Sequence, residues 1–298
     1  MDRKICVIEA PSVLGLIPEG KGVARLPEAL KSHGLVERIK ATHGVIVSPA
    51  KYPYSNKPDR SGVLNGNSII QYSTDLANKL TSTFNPDQFP LILGGDCSIA
   101  IGIALFMKRV FQNPGIIWID GHSDYYEIEK SPKKEVADMA LGIITGSEPE
   151  ALSNIEDRRP YIQQPNAVLL GYRDQEEVKK DGGRNIVATS HISCTDLNML
   201  REIGTTRSAT LAIKRTKIPK DGKFWAHFDL DALDIPCVNY RLPGGLTYSE
   251  LEDILKVIIL EPRCVGMDLT IYNPDLDKDR SVGKRITDSL VKAFCYSP

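Results

Sequence analysis

The chain of 298 residues is close to electroneutral, with 37 Lys and Arg against 38 Asp and Glu and a formal net charge of −1. Hydrophobic residues make up 42% and charged residues 25%, a composition typical of globular proteins that excludes global disorder. Because no excess of positive charge is present to neutralise phosphates, a nucleic-acid-binding surface is not expected. No stretch reaches the roughly 18 consecutive apolar residues of a membrane span, so no membrane partner is expected. The first residues carry no signal-peptide pattern, and we expect a cytoplasmic protein.

Short apolar runs alternate with helical patterns along the chain. The predicted strands are Ile5–Ala10, Gly44–Pro49, Phe89–Gly94, Gly115–Asp120, Ala167–Gly171, Asn185–Thr189, Phe224–Asp229 and Cys264–Ile271. The predicted helices are Leu26–Ser32, Ser73–Phe84, Ser98–Val110, Ser249–Leu260 and Arg280–Phe294. Strands that are apolar at successive positions are typical of parallel sheets covered by helices on both faces. No linker interrupts the pattern, so we expect one domain over residues 1–298.

Two local features refine these predictions. The helix at Ser249–Leu260 begins with a Ser249 and Glu252 capping-box pattern. Three polar or Pro- and Gly-rich segments are predicted as loops: Lys51–Ser61, Tyr125–Lys134 and Cys237–Gly245. The six cysteines lack short paired spacings, which favours reduced and mostly buried thiols over a disulfide framework.

Three predicted strands run directly into acidic residues. The segments are Gly94-Gly95-Asp96-Cys97-Ser98, Asp120-Gly121-His122-Ser123-Asp124 and His227-Phe228-Asp229-Leu230-Asp231-Ala232-Leu233-Asp234. Ligands of open parallel sheets bind beyond the carboxyl ends of the strands, so these side chains are expected to converge. Clustered carboxylates repel one another unless a cation lies among them, and carboxylates with an imidazole suit Mn²⁺ or Zn²⁺. The three segments therefore predict a metal site.

The spacing within these segments indicates which side chains face the same way. Asp120, His122 and Asp124 share one side of an extended segment, and Asp229 and Asp231 share a side in the same manner. Asp120 and Asp229 could each bridge two metals that share one hydroxide. For Asp96 and Asp234, by contrast, a helix cap or a loop hydrogen bond is the favoured interpretation.

The three motifs resemble those of the ureohydrolases, the family of arginase, agmatinase and formimidoylglutamase. In that family the motifs are Gly-Gly-Asp-His-Ser, Asp-Ala-His-x-Asp and Ser-x-Asp-x-Asp-x-x-Asp-Pro, in this order. Further similar segments are residues 22–39, Gly171-Tyr172-Arg173-Asp174, Gly244-Gly245-Leu246-Thr247 and Asn273-Pro274, so the resemblance covers nearly the whole chain. It implies a three-layer α/β/α sandwich on a mainly parallel sheet of about eight strands.

The resemblance also implies two manganese sites and a metal-bridging hydroxide that attacks a guanidinium carbon. The first site would combine the position of Cys97 with Asp120, Asp124 and Asp229. The second would combine His122 with Asp120, Asp229 and Asp231. Asp124 would in addition help to orient the hydroxide as a catalytic residue.

Three departures from the family pattern bear on the chemistry. Cys97 stands where the family has a histidine ligand, and a thiolate is softer and adds negative charge, which lowers Lewis acidity, favours zinc or a single metal, or leaves the first site weak. Ile271 aligns with a glutamate that grips the guanidinium, and Met139 aligns near a loop histidine thought to shuttle protons. An apolar side chain can do neither, so we expect a substrate less cationic than free arginine or agmatine.

Other side chains near the motifs are weaker candidates. His227 could face the site as a catalytic residue, or be a core histidine with a hydrogen-bond partner. Tyr125 and Tyr126 could line the substrate pocket or serve an ordinary loop. Arg241 could bind a substrate carboxylate, although a solvated loop arginine is the favoured interpretation. Glu176 and Glu177 lie where family members contact the substrate tail, but acids at a helix start would look the same.

Three functions are compatible with these features. The first is an arginase-type metal-dependent hydrolase that cleaves a non-peptide C–N bond of an amidine, guanidino-derived or amide small molecule. The second is a single-metal deacylase, similar to the histone deacetylases, with zinc bound by Asp120, His122 and Asp229, although the chain lacks their tandem histidine pair. The third is a non-catalytic relative that keeps the fold. On resemblance, the hydrolase would be a homo-oligomer.

Overall fold

The fold, described by a computed structural model over residues 3–49, 52 and 57–296, centres on one eight-stranded sheet. The strands are Lys4–Glu9 (β1), Thr42–Ile46 (β2), Gln88–Leu93 (β3), Gly115–Ile119 (β4), Ala167–Leu170 (β5), Ser193–Thr195 (β6), Phe224–Asp229 (β7) and Cys264–Thr270 (β8). Their order is β2-β1-β3-β8-β7-β4-β5-β6, and every pairing is parallel. The predicted parallel sheet of about eight strands is confirmed.

The helices connect successive strands and cover the sheet. They are Leu26–Ser32 (α1), Leu35–Arg38 (α2), Gly66–Thr83 (α3), Ile99–Val110 (α4), Ala140–Ile144 (α5), Glu150–Ser153 (α6), Gln175–Lys180 (α7), Ile186–Thr189 (α8), Leu197–Ile203 (α9), Thr205–Arg215 (α10), Tyr248–Leu260 (α11) and Ser281–Phe294 (α12). One group packs through α3 against α4, and another through α10, α11 and α12 in succession. The arrangement is the expected α/β sandwich. Among the described residues, none of these helices has the length and apolar character needed to cross a bilayer.

Burial follows the position of each strand in the sheet. All residues of β4, β5, β7 and β8 are buried, which explains their uninterrupted apolar runs. The edge strand β2 is mostly exposed, and β6 at the other edge has only three residues. Short or exposed edge strands are a common way to avoid pairing with a second chain.

One predicted strand is wrong. Residues 186–189 form α8 because the Asn185 side chain accepts hydrogen bonds from the backbone N–H groups of Val187 and Ala188 and so caps a helical turn. The strand of this region is β6, which the prediction missed because its residues form no apolar run.

The predicted capping box is also misplaced. The Thr247 hydroxyl accepts from the backbone N–H of Glu250, and the Glu250 carboxylate accepts from that of Thr247, two residues earlier than predicted. Glu252 is instead buried and bonded to Ser289. The predicted loops at 125–134 and 237–245 are confirmed. Of the predicted loop Lys51–Ser61, residues 51 and 53–56 lie outside the described residues.

The strand order explains why the three acidic motifs meet. After β3 the chain passes through α4 to β4, and the two places between them in the sheet are filled later by β7 and β8. The strands β3, β8, β7 and β4 are therefore neighbours, and the three motifs lie at the carboxyl ends of β3, β7 and β4. This is the position where open parallel sheets bind ligands.

Candidate metal centre

Two groups of side chains at this edge of the sheet have ligand atoms within 4.8 Å of one another. The first group consists of four buried residues, Cys97, Asp120, His227 and Asp229. The second consists of Asp120, His122 and Asp231. Asp120 belongs to both groups, so the two lie side by side and share a carboxylate. Five of the six predicted ligands are thus brought together, and His227 joins them.

Backbone hydrogen bonds hold the shared carboxylates in place. Asp120 Oδ1 accepts from the backbone N–H of His122, and Asp229 Oδ1 accepts from that of Asp231, each at 2.7 Å. These turns form where the strands end: Asp120 directly follows β4 and Asp229 is the last residue of β7, each two residues before the next ligand. The Trp118 indole N–H donates to Asp120 Oδ2 at 2.7 Å. Both oxygens of Asp120 are therefore oriented before any ion binds.

Cys97 reaches the centre because the backbone beside it comes unusually close to another loop. A Cβ on Gly95 would lie 1.7 Å from the Ser12 carbonyl oxygen, so only glycine fits there. The Cys97 thiol donates to Asp229 Oδ2, with the two atoms 2.7 Å apart. Burial, and next the neighbouring carboxylates of Asp229 and Asp124, raise the pKa of the Cys97 thiol well above its usual value. Without a cation, Cys97 is therefore a thiol.

Burial and mutual repulsion also dominate the carboxylates. The pKa values of Asp120, Asp124 and Asp229 are all well above the usual range, first because of burial and then because of neighbouring carboxylates. Asp124 lies outside the two groups defined above, but its Oδ2 atom is buried without a hydrogen-bond partner among the described residues. Its backbone is held at φ 46°, a conformation that aspartate tolerates better than most residues.

The second group carries its own counter-charge. His122 Nδ1 lies 2.9 Å from Asp231 Oδ2, and one-fifth of the His122 side chain is exposed. Enclosure disfavours the imidazolium, but the Asp231 and Asp120 carboxylates outweigh it and raise the pKa of His122 to about 10. Burial likewise opposes ionisation of Asp231, yet His122 and Arg173 lower the pKa of this carboxyl below its usual value. In the absence of a metal, this pair is an ion pair.

Cys97, His122, Asp124, Asp229 and Asp231 line a cavity of about 160 Å³. Among the predicted substrate contacts, Tyr126 and Ile271 also line it. The others, Tyr125, Met139, Glu176 and Arg241, are outside its lining. Tyr125 and Met139 are buried in the core, Glu176 is exposed on α7, and Arg241 pairs with Asp234 at 2.9 Å. Substrate contact by these four side chains stays a prediction.

Comparison with known proteins matches this architecture over the whole length of the chain. The model of the arginase family matches residues 19–297. The chain belongs to the arginase family. It is 29% identical to an arginase of Staphylococcus aureus strain COL, an alignment covering 98% of this chain and 97% of the relative.

Two solved structures show how far the similarity of this family member extends. The crystal structure of arginase from Bacillus subtilis superposes with a TM-score of 0.80 at 25% identity, covering 99% of both chains. The formimidoylglutamase of Bacillus subtilis superposes with a TM-score of 0.68 at 18% identity, covering 99% of this chain and 87% of the other. The latter similarity concerns the fold alone.

The arrangement suits the metal ions that the family resemblance implies. Four buried aspartates that repel one another, together with an unpaired Asp124 oxygen, form a set that a divalent cation would stabilise. Carboxylate oxygens, imidazole nitrogens and a thiol are all established ligands of transition metals. Asp96, by contrast, accepts from the backbone N–H groups of Gly15 and Ser98, as the favoured interpretation predicted.

The sequence reasoning missed several residues that shape the centre. Trp118 orients Asp120, and Asp268 bonds to His227 from the middle of β8. The signal for Asp268 was available, because an acid inside an apolar strand needs a buried partner. Asp138 was missed as well and lines the cavity in place of its predicted neighbour Met139, whereas of the two candidate acids on α7 Glu177 lines the cavity and Glu176 does not.

Proposed function

We propose that this member of the arginase family is a metal-dependent hydrolase that cleaves a non-peptide C–N bond in an amidine, guanidino-derived or amide small molecule. The observation that carries this proposal is the convergence of two donor groups, sharing Asp120, on a cavity at the carboxyl edge of the sheet. Manganese or zinc would be held by Asp120, Asp229 and the donors around them. The enzyme would act as a homo-oligomer on a small-molecule substrate.

The protein's contribution to the reaction is orientation and charge. A bound divalent ion supplies a water-derived nucleophile near neutral pH and stabilises charge that develops on the attacked carbon's substituents. Asp124 lines the cavity, and its Oδ2 has no hydrogen-bond partner in the described part of the chain. This atom would accept a hydrogen bond from the attacking water and orient it. Asp120 and Asp229 would place their oxygens toward the metal, since backbone N–H groups hold them from behind.

The cavity wall favours a scissile group with little positive charge. Ile271 contributes an apolar surface at the position where the family resemblance places a glutamate. Burial, and also the charge of Glu135, raise the pKa of Asp138 to about 8, so Asp138 holds a proton at neutral pH and offers an O–H donor. Although two of the three similar proteins named above are arginases, we propose that free arginine is a poor substrate for this chain.

The test is hydrolysis by the full chain loaded with Mn²⁺ or Zn²⁺. A panel of a free guanidino amino acid, a formimidoyl compound, a simple amidine and an acyl amide is incubated with the protein, and release of urea, ammonia and amine is measured. Asp229→Asn removes a ligand of the first group, and its single amide oxygen can still accept from the backbone N–H of Asp231. We expect it to lower kcat/KM by about 10³-fold, because metal activation contributes several kcal/mol.

Asp253→Asn is the matched control, since Asp253 lies on the surface of α11 and forms an ion pair with Lys256. The activity of this variant should equal that of the wild type. Full activity of Asp229→Asn on any substrate would contradict the proposal. Turnover of the acyl amide alone, with one zinc per chain, would favour the deacylase. Failure of every substrate with the metal sites filled would favour a non-catalytic relative.

A further inference from the structure

His227 is fully buried and has one ring nitrogen engaged. Its Nδ1 atom lies 2.7 Å from Asp268 Oδ2, and Asp268 Oδ1 accepts from the Trp225 indole N–H at the same distance. His227 Nε2 is buried without a hydrogen-bond partner among the residues the structure describes. When Asp268 accepts the proton of Nδ1–H, the lone pair of the imidazole is on Nε2. This is how metal-binding histidines are usually supported from behind.

A second contact fixes the plane of the ring. The Trp118 indole stacks on the His227 imidazole, with ring centroids 3.6 Å apart and an angle of 26° between planes. The same indole donates to Asp120 Oδ2, so one side chain positions two members of the first group. A ring nitrogen of His227 lies within 4.8 Å of the ligand atoms of Cys97, Asp120 and Asp229. The imidazole is thus oriented and placed among three other donors.

We infer that His227 is a metal ligand, and that with Cys97, Asp120 and Asp229 it forms a site that prefers Zn²⁺ to Mn²⁺. The inference rests on the proposed function only for the presence of a metal at this centre. The donor set is one sulfur, one nitrogen and two oxygens, which is the tetrahedral set that zinc accepts. Manganese favours carboxylate and water oxygens, so the thiolate and imidazole select against it.

The geometry requires only modest shifts around the ion: the wider donor pairs would move closer, and Cys97 Sγ and Asp229 Oδ2 would move slightly apart. Ligands at about 2.0–2.3 Å from a tetrahedral zinc lie roughly 3.3–3.8 Å from one another. The four donors are already within 4.8 Å of one another, with Cys97 Sγ and Asp229 Oδ2 at 2.7 Å. An ion can reach them because Cys97 and Asp229 line the cavity.

Binding has a defined proton balance. The S–H bond of Cys97 ionises, its electron pair forms the sulfur–zinc bond, and the proton leaves to solvent. The hydrogen bond from this thiol to Asp229 Oδ2 is lost at the same time, which frees that oxygen for the ion. His227 would bind the ion through Nε2, which carries the lone pair in the tautomer that Asp268 supports.

The experiment is zinc-edge X-ray absorption on the metal-free full chain loaded with one equivalent of Zn²⁺. We expect one sulfur and one imidazole in the first coordination shell of the wild type. In His227→Gln the imidazole contribution should disappear, whereas in His122→Asn, the matched change in the second group, it should persist. Zinc affinity measured by competition should fall at least ~100-fold in His227→Gln.

The wild-type spectrum requires no variant, so the inference stays testable even if His227→Gln does not fold. A wild-type shell without imidazole would overturn it, as would an imidazole signal that is lost in His122→Asn and kept in His227→Gln. Fewer protons should be released on zinc binding by Cys97→Ser than by the wild type, because the thiol proton is missing from the variant. No substrate enters these measurements, so an inactive protein with this zinc shell would contradict the proposed hydrolase alone.

Discussion

The two donor groups that share Asp120 differ in how they are satisfied without an ion. In the group of His122 and Asp231, an imidazole and a carboxylate neutralise each other at 2.9 Å, partly open to the cavity. In the group of Cys97 and His227, all members are buried, a thiol shares its proton with a carboxylate, and one ring nitrogen has no described partner. Metal binding therefore has a different free-energy cost in each group. In the second group it breaks an ion pair, and in the first group it requires ionisation of a thiol.

This difference lies at the two positions where the chain departs most from the family motifs. The second group keeps the Asp-x-His-x-Asp pattern, and its ligands follow from that motif. The first group has cysteine in place of the motif histidine and His227 in place of the motif serine. An imidazole is lost from the end of β3 and another is present on β7, two strands away in the sheet. Both departures thus fall in one of the two adjacent groups, and the other keeps the ligands of the motif.

Restoring the family motifs at both positions should have the largest effect on this contrast. In the double variant Cys97→His/His227→Ser, we expect the preference for zinc over manganese to fall by roughly tenfold or more, because a thiolate is removed from the donor set. Metal competition followed by elemental analysis measures this preference. Cys194→Ser, a cysteine outside the centre, is the control for the loss of a thiol. An unchanged preference in the double variant would mean that the first group does not select the metal.

The sheet and the acidic motifs could be predicted because burial on both faces produces apolar runs, and a change to acidic residues marks where each run ends. The contact of His227 with Asp268 could not, since it joins residues 41 positions apart and depends on β8 lying beside β7. Likewise, a short edge strand such as β6, with one of its three residues buried, leaves no apolar run in the sequence. Pairings across the sheet, rather than patterns along the chain, determine which side chains complete the centre.

A substitution in the cavity wall, at Ile271, should have an effect of intermediate size on arginine binding. Ile271 lines the cavity with φ at 71°, a conformation that is unfavourable for a β-branched side chain. Ile271→Glu should strengthen binding of arginine roughly tenfold by placing a carboxylate against its guanidinium, as measured by calorimetry on the metal-loaded protein. The glutamine in Ile271→Gln has the same shape as glutamate but no charge, so this variant should not bind arginine more tightly than the wild type does. Equal arginine affinity in the two variants would show that this wall does not discriminate by charge.

The smallest expected effect is on stability and concerns Asp138, which lines the same cavity but belongs to neither donor group. Its folded-state pKa of about 8 lies above the usual 3.8, because burial and then Glu135 disfavour the carboxylate. The folded protein therefore binds the extra proton, and the free energy of unfolding decreases as the pH rises from about 4 to about 8. Asp138→Asn cannot ionise, and its amide oxygen can still accept the hydrogen bond that Ser131 donates to Asp138.

The variant should accordingly match the wild type in thermal unfolding at pH 4 and exceed it at pH 9. Asp138 is only partly shielded from water, so we expect a difference on the order of 1–2 kcal/mol at the higher pH, or about 2–4 °C in Tm per kcal/mol. Asp87→Asn, a change at an exposed turn, controls for the loss of a negative charge. A variant that is less stable than the wild type at pH 9 would mean that the Asp138 carboxylate is stabilised in the fold, and the cavity would then present a negative charge suited to a cationic substrate after all.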